Sequence, residues 1–426
     1  MLFKHILFSI FILLFISGCF SQKVIFVEQK KKHYEVKTNI YEKPTQVVKT
    51  KKVVENNYTN IENQFLDILK IDKYASICGT DILSPNMDFE KSLILYTKNL
   101  ANGCLKIKQS KDYNIYIQEV DEKNIIEQFR SNEYTIKQIL EPYIPNHPEF
   151  LKMIKKLNDK NLSKQQKYIL RINIERMKLL KNYKIKNFIQ LNIPSYSFDF
   201  FENDKKSMSF GTIVGDLENK TPILSSKLKY FIVNPAWNIP DSIAKKTIIP
   251  RMLKDKNYLK KKHIEIHKNY KLTSQKYRQK DINWRKYLKK NVRHIPYKFI
   301  QLPYGSNGLG RVKFIFPNNY AVYMHDTIGT WRFKQNKQKI RAVSHGCVRL
   351  ENPLALIKYL STNYTKYSYK YVRKVYDSHK SRTISLSKPL AVHITYFTVT
   401  LDKNGKLNFH KDLYGYDKVQ KLNFEL

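Results

Sequence analysis

Three features of the sequence predict an α+β chain. Helical apolar stripes run between residues 60 and 182, short strand-like runs follow Lys186, and a lysine- and tyrosine-rich, helix-prone stretch at about 237–297 interrupts those strands. In this order they imply a helical scaffold domain (59–185) ahead of a mainly β domain (186–426) carrying an inserted helical lid.

The chain opens with Lys4 ahead of an apolar-dominated run from Ile6 to Ile16. That run is shorter than the ~20 residues a membrane span needs, so residues 1–18 read as an export signal. It ends in Ile16-Ser17-Gly18-Cys19, which resembles the bacterial lipobox. The resemblance implies that Cys19 is acylated and becomes the mature N-terminus, anchoring the protein to a membrane from the periplasmic side. Ser21 stands where Asp would retain an inner-membrane lipoprotein, so an outer-membrane address is favoured. Residues 19–58, rich in Lys and Val, read as a tether.

A helix from Asn60 is predicted by Ile61, Phe65, Ile68 and Leu69 on one face. A second begins at Pro148, with Phe150, Ile154 and Leu157 as its stripe. A third follows Ser163, whose spacing to Gln166 makes a capping box, with Leu170, Ile174 and Met177 on its buried side. Strands are predicted over 188–193, 210–214, 229–233, 311–316, 320–325 and 390–401. Pro317-Asn318-Asn319 marks a hairpin turn between the fourth and fifth of these.

Seventy-seven basic against 36 acidic residues give a net charge of 77 − 36 = +41. An excess of this size raises nucleic-acid binding as a possibility. The lysines are spread along the whole chain, however, and Lys, Asn, Ile, Tyr and Phe are all written by A/T-rich codons. No nucleic-acid partner is expected.

The chemistry gathers at Val343-Ser344-His345-Gly346-Cys347-Val348-Arg349. A nucleophilic Cys needs a base, since the thiolate is the reactive form. Two histidines qualify. His345 is two positions away, and His325 lies 347 − 325 = 22 positions upstream at a strand end. Local spacing leaves the choice open. Ser344 as a hydrolase nucleophile lacks the Gly-x-Ser-x-Gly elbow. His263, Glu265 and His267 lack the spacing of a zinc protease, and no metal or other cofactor is expected.

Tyr323-Met324-His325-Asp326-Thr327 followed by Ser344-His345-Gly346-Cys347 resembles the signature of the YkuD-type L,D-transpeptidase catalytic domain. The segments 172–176, 191–194, 234–240, 306–314 and 412–415 are similar to its large Gram-negative subgroup, which carries an inserted capping subdomain. The resemblance implies Cys347 as nucleophile and His325 as base. Ser344, His345 and Gly346 would shape the site and stabilise the tetrahedral intermediate, and Tyr323 and Arg349 would meet substrate. It further implies peptidoglycan stem peptides as partners and 3–3 cross-linking as the product. L,D-carboxypeptidation and attachment of an outer-membrane protein to peptidoglycan are alternatives. A wall- or polyanion-binding lipoprotein is the non-enzymatic alternative, disfavoured by the His325/Cys347 pair. No small wall-binding module is recognised in residues 75–160. With Cys19 acylated and Cys347 free, Cys78 and Cys104 remain, and a disulfide between them is expected in an oxidising compartment.

Overall fold

The computed structural model describes residues 59–79, 82, 88–107, 112–181, 186–292, 294–334 and 341–425. The export signal, Cys19 and the tether lie outside the described residues. Among those described, no helix is long and apolar enough to cross a membrane.

Six helices build the N-terminal region: α1 (Asn60–Lys70), α2 (Phe89–Asn102), α3 (Glu122–Ser131), α4 (Ile136–Leu140), α5 (Phe150–Lys156) and α6 (Lys164–Lys178). The predicted capping box forms, whereas α5 starts at Phe150 rather than at Pro148 and has no side-chain cap. In α6 the Ser163 hydroxyl accepts from Gln166 N at 3.2 Å, and the Gln166 side chain accepts from Ser163 N at 2.9 Å. Ile61, Phe65, Ile68 and Leu69 of α1 and Leu170, Ile174 and Met177 of α6 are buried in one cluster. Helices α2 to α4 went unread because their apolar residues are interspersed with Asn, Lys and Glu.

The C-terminal region is one mixed sheet of nine strands, numbered here β1 (Phe188–Asn192), β2 (Ser197–Glu202), β3 (Lys205–Gly215), β4 (Leu224–Val233), β5 (Val312–Ile315), β6 (Met324–His325), β7 (Ala342–Ser344), β8 (Val348–Leu350) and β9 (Arg382–Thr395). The order is β7-β3-β8-β6-β5-β4-β9-β1-β2, and β2 also pairs with β3, which closes the circuit. Helices Pro353–Tyr364 and Tyr369–Asp377 cover it, contributing Leu356, Ile357, Leu360 and Val372 to its core.

The insertion contains the expected short helices, among them Ile249–Lys254 and Tyr258–Lys261. It also contains an antiparallel four-stranded sheet of Trp237–Ile239, Lys298–Gln301, Ile264–His267 and Lys276–Tyr277. Alternating Ile264-Glu265-Ile266 and the paired Phe299 supply the period-two signal that the surrounding lysines obscure. The insertion has its own core around Ile239, Ile249, Met252, Trp284 and Phe299.

Helix α6 joins the two regions. Phe397, Val399 and Leu401, which follow β9, bury themselves among the α1–α6 side chains. Asn173 donates to Thr398 Oγ1 at 2.9 Å, and Arg176 pairs with Asp417 at 2.7 Å. The opposite turn carries a buried ion cluster. Glu175 bonds Arg171 Nε at 2.6 Å and Lys178 Nζ at 3.0 Å, and its second oxygen accepts from Cys104 N at 2.8 Å. Arg171 and Lys178 both donate to Ala75 O, at 2.7 and 2.5 Å. These bonds hold the two segments that carry Cys78 and Cys104, which are joined as a disulfide with Cα atoms 6.0 Å apart.

Glu175 and Lys178 are fully buried, so each depends on the other for compensation. Glu175→Gln leaves two buried cations against the single, more distant Asp72, and should cost about 3–5 kcal/mol in urea unfolding of the disulfide-intact protein. A loss below about 1 kcal/mol would show that the cluster is dispensable.

Candidate active site

Strand register brings five polar side chains to one face of the sheet. β6 runs antiparallel to β5 with Lys313 opposite His325, and parallel to β8 with His325 opposite Arg349. One step back, Val348 N donates to Tyr323 O at 3.1 Å, which sets Cys347 beside Tyr323. Side chains alternate along a strand. Lys313, Tyr323, His325, Cys347 and Arg349 therefore share one face, while Val312, Phe314, Met324, Val348 and Leu350 point into the apolar core.

Cys347 is the free cysteine among the described residues and is half-buried. Burial pushes its thiol up. The Tyr323 N–H, the Lys313 charge, the Tyr323 hydroxyl and the Arg349 charge all pull it back down. Trp237 and Cys347 both act on the Tyr323 hydroxyl, the sulfur raising its pKa and the indole lowering it.

The His325 ring is buried, and its Nδ1 lies 2.6 Å from Asp326 O. The Leu309 carbonyl, like that of Asp326, favours the charged ring. Burial, aided by the charges of Arg349 and Lys313, pushes its pKa down to about 3. His325 is therefore a neutral imidazole at physiological pH. A standing imidazolium–thiolate pair is disfavoured twice over, because the imidazole is pushed down and the thiol up.

Arg349 has a buried Nε with no hydrogen-bond partner. Burial and the nearby Arg332 charge lower its pKa. A guanidinium in this condition is suited to a bidentate anionic ligand.

The turn before Cys347 is braced from below. Gly346 adopts φ +102°, a conformation open to glycine. Ser344 is buried, donates to Cys347 O at 2.6 Å and accepts from Gly346 N at 3.2 Å. The Ser344 hydroxyl and the Gly346 N–H, expected from the sequence to face the reacting carbonyl, are thus engaged inside the turn. His345 is exposed. Thr221 donates to Gly346 O at 2.8 Å and accepts from Gly215 N at 2.8 Å. Tyr414 donates to Gly215 O at 2.8 Å, and Tyr396, which accepts from Tyr414 N, donates to Asp412 at 2.7 Å.

Several residues at the site were quoted in the sequence only as parts of motifs, without roles. Segment 306–314 supplies Lys313 and the Leu309 carbonyl. A Cβ on Gly308 would sit 2.7 Å from the Trp237 ring, and one on Gly310, at φ +64°, would sit 2.5 Å from the Asp326 carboxyl. Asp326 in turn accepts from Arg311 N at 2.8 Å and Thr327 N at 2.7 Å. Asn234 accepts from Arg311 Nε at 2.7 Å. The signal that could have found them is the combination of glycine pairs with a lone lysine in an otherwise apolar strand.

The ring of His325 should stay neutral until the pH nears about 3, read from its ring nitrogen shifts by NMR. Gly310→Ala displaces Asp326 and weakens the carbonyl contacts that favour the charged ring, so the His325 midpoint should fall further below 6.5. A wild-type midpoint already near 6.5 would contradict the buried, neutral ring.

Residues 186–375 match the sequence profile of YkuD, the L,D-transpeptidase catalytic domain. The chain is also 30% identical over 264 residues to a Haemophilus influenzae protein provisionally named an L,D-transpeptidase, covering 60% of this chain and 50% of that protein. It thus spans about half the length of that relative. The matched segment contains β1 to β8, the insertion, Cys347 and His325. Residues 186–375 form a YkuD-type L,D-transpeptidase catalytic domain with a cysteine at its candidate site.

Proposed function

We propose that this protein is an exported, lipid-anchored L,D-transpeptidase that joins peptidoglycan stems by 3–3 cross-links through a Cys347 thioester. The observation that carries this reading is the shared face of Cys347, Tyr323, His325 and Arg349 within the matched domain.

Cys347 attacks the carbonyl of the third stem residue, at the L-centre of meso-diaminopimelate. A sulfur–carbon bond forms, the amide carbon–nitrogen bond breaks, and D-alanine leaves. Neutral His325 takes the thiol proton and returns it to the departing amine. The imidazolium that exists between these events is favoured by the Asp326 carbonyl against its Nδ1 and by the Leu309 carbonyl. The Tyr323 hydroxyl, which acts on the thiol at rest, then donates to the carbonyl oxygen as charge develops there. Arg349 receives a substrate carboxylate. The side-chain amine of a second stem then attacks the thioester and regenerates the thiol.

The Cys78–Cys104 pairing supports an oxidising, periplasmic location with Cys19 as the outer-membrane anchor. Water in place of the amine would make the same chemistry L,D-carboxypeptidation, and a protein lysine would make it protein attachment.

Cys347→Ala should keep the melting temperature and lower D-alanine release from tetrapeptide stems by about 10⁴-fold or more. Mass spectrometry of wall digests from cells carrying that variant should show loss of 3–3 dimers. Unchanged release would overturn the assignment. Intact dimers with accumulated tetrapeptides would replace transpeptidation by carboxypeptidation.

A further inference from the structure

Lys313 is an unusual residue for its position. It lies mid-strand in β5, between the core residues Val312 and Phe314, and faces Ile232 on one side and His325 on the other. An ammonium on a half-buried central strand is costly unless its charge is used. Its Nζ sits 3.7 Å from the centroid of the Tyr323 ring. Among the described residues no carboxylate ion pair engages it, and the polar groups facing it are Tyr323, His325, Cys347 and Arg349.

Each of these neighbours narrows what the ammonium can do. His325 is neutral, with its Nδ1 on the Asp326 carbonyl, so it supplies no standing positive charge to the sulfur. Arg349 is repelled by Arg332 and retains an unpartnered Nε for a ligand. Lys313 is held on the face of the Tyr323 ring, and the Tyr323 hydroxyl, like the Lys313 charge, acts to lower the thiol. A cation on the face of a phenol draws electron density from it and makes its O–H a stronger donor. The same charge acts on the sulfur directly through a poorly solvated path.

We propose that Lys313 is the positioning and electrostatic residue that makes the Cys347 thiolate accessible, directly and through Tyr323, in place of an imidazolium partner. This rests on the reading of Cys347 as the nucleophile and deepens it. The cation that the cysteine needs comes from a neighbouring strand. His325 is left free to move a proton at the moment of attack.

The test is the pH profile of Cys347 alkylation by iodoacetamide, followed by peptide mass spectrometry on the full chain with its disulfide intact. Lys313→Met keeps the stem that packs on Tyr323 and removes the charge. Its profile should move to higher pH by about one unit, which is a tenfold slower reaction at any pH below both midpoints. Lys313→Arg should recover most of that loss, which a merely structural role would not predict. Tyr323→Phe, which keeps the ring and removes the hydroxyl, should show a smaller shift. If Lys313→Met fails to fold, Lys313→Gln takes its place, and comparison of the Arg and wild-type chains with Gln decides the same question. A folded neutral variant with the wild-type profile would overturn the proposal. So would an unchanged profile accompanied by a raised KM for stem peptide, which would make Lys313 a substrate contact. A shifted profile in a protein that releases no D-alanine would leave the role of Lys313 standing and sink the transpeptidase reading instead.

Discussion

Parallel pairing of Met324–His325 with Val348–Leu350 is the constraint on which the site depends. The two segments are joined by a connection that contains the turn Thr330–Lys334 and Ala342–Ser344, so nothing local sets their register. The register comes from Met324 and Val348, which must both enter the core beside Phe314 and Leu350. Because side chains alternate, placing those two inward places Tyr323, His325, Cys347 and Arg349 outward. A slip of one residue would bury the thiol and expose the core. The site is thus a by-product of packing, and its precision is that of the core beneath it.

Everything around this pairing acts to keep the polar face in shape. Closure of the sheet through β2 and β3 puts Gly215 next to the turn that precedes Cys347. The tyrosines that follow β9 then clamp that turn from the C-terminal side. The insertion contributes Trp237, whose indole lowers the pKa of the Tyr323 hydroxyl and whose close approach requires glycine at 308. Helix α6 ties the same C-terminal segment to the helical region through Asn173 and Arg176, with the Arg171/Glu175/Lys178 cluster securing the disulfide-linked chain on its other side. The helical region and the catalytic sheet share a core through Phe397, Val399 and Leu401, so the two are built as one unit.

Helices with clean apolar stripes, α1, α5 and α6, were legible in the sequence, as were strands with uninterrupted β-branched and aromatic runs. The three-residue strand Val348–Leu350 was not. At that length no periodicity exists to read, and the pairing is decided by partners far away in the chain. The sheet inside the insertion was hidden by lysines on its solvent face, which carry the composition of a helix and the alternation of a strand. At the site, a resemblance pointed to Cys347 and His325, yet the roles of Lys313, Trp237, Gly308 and Gly310 could not be read. Each lies against residues ten or more positions away. Ser344 and Gly346 show the reverse. The resemblance put them at the chemistry, and in the structure Ser344 bonds Cys347 O and Gly346 N within the loop.

The central claim is that the face formed by this pairing carries an acyl group on Cys347. Intact-mass measurement of the purified protein during turnover of a tetrapeptide stem tests it most directly. The account predicts a tripeptide adduct that maps to Cys347, is released by hydroxylamine as a thioester is, and disappears when an amine acceptor is supplied. An adduct on a different residue, or D-alanine release by Cys347→Ala protein, would contradict it.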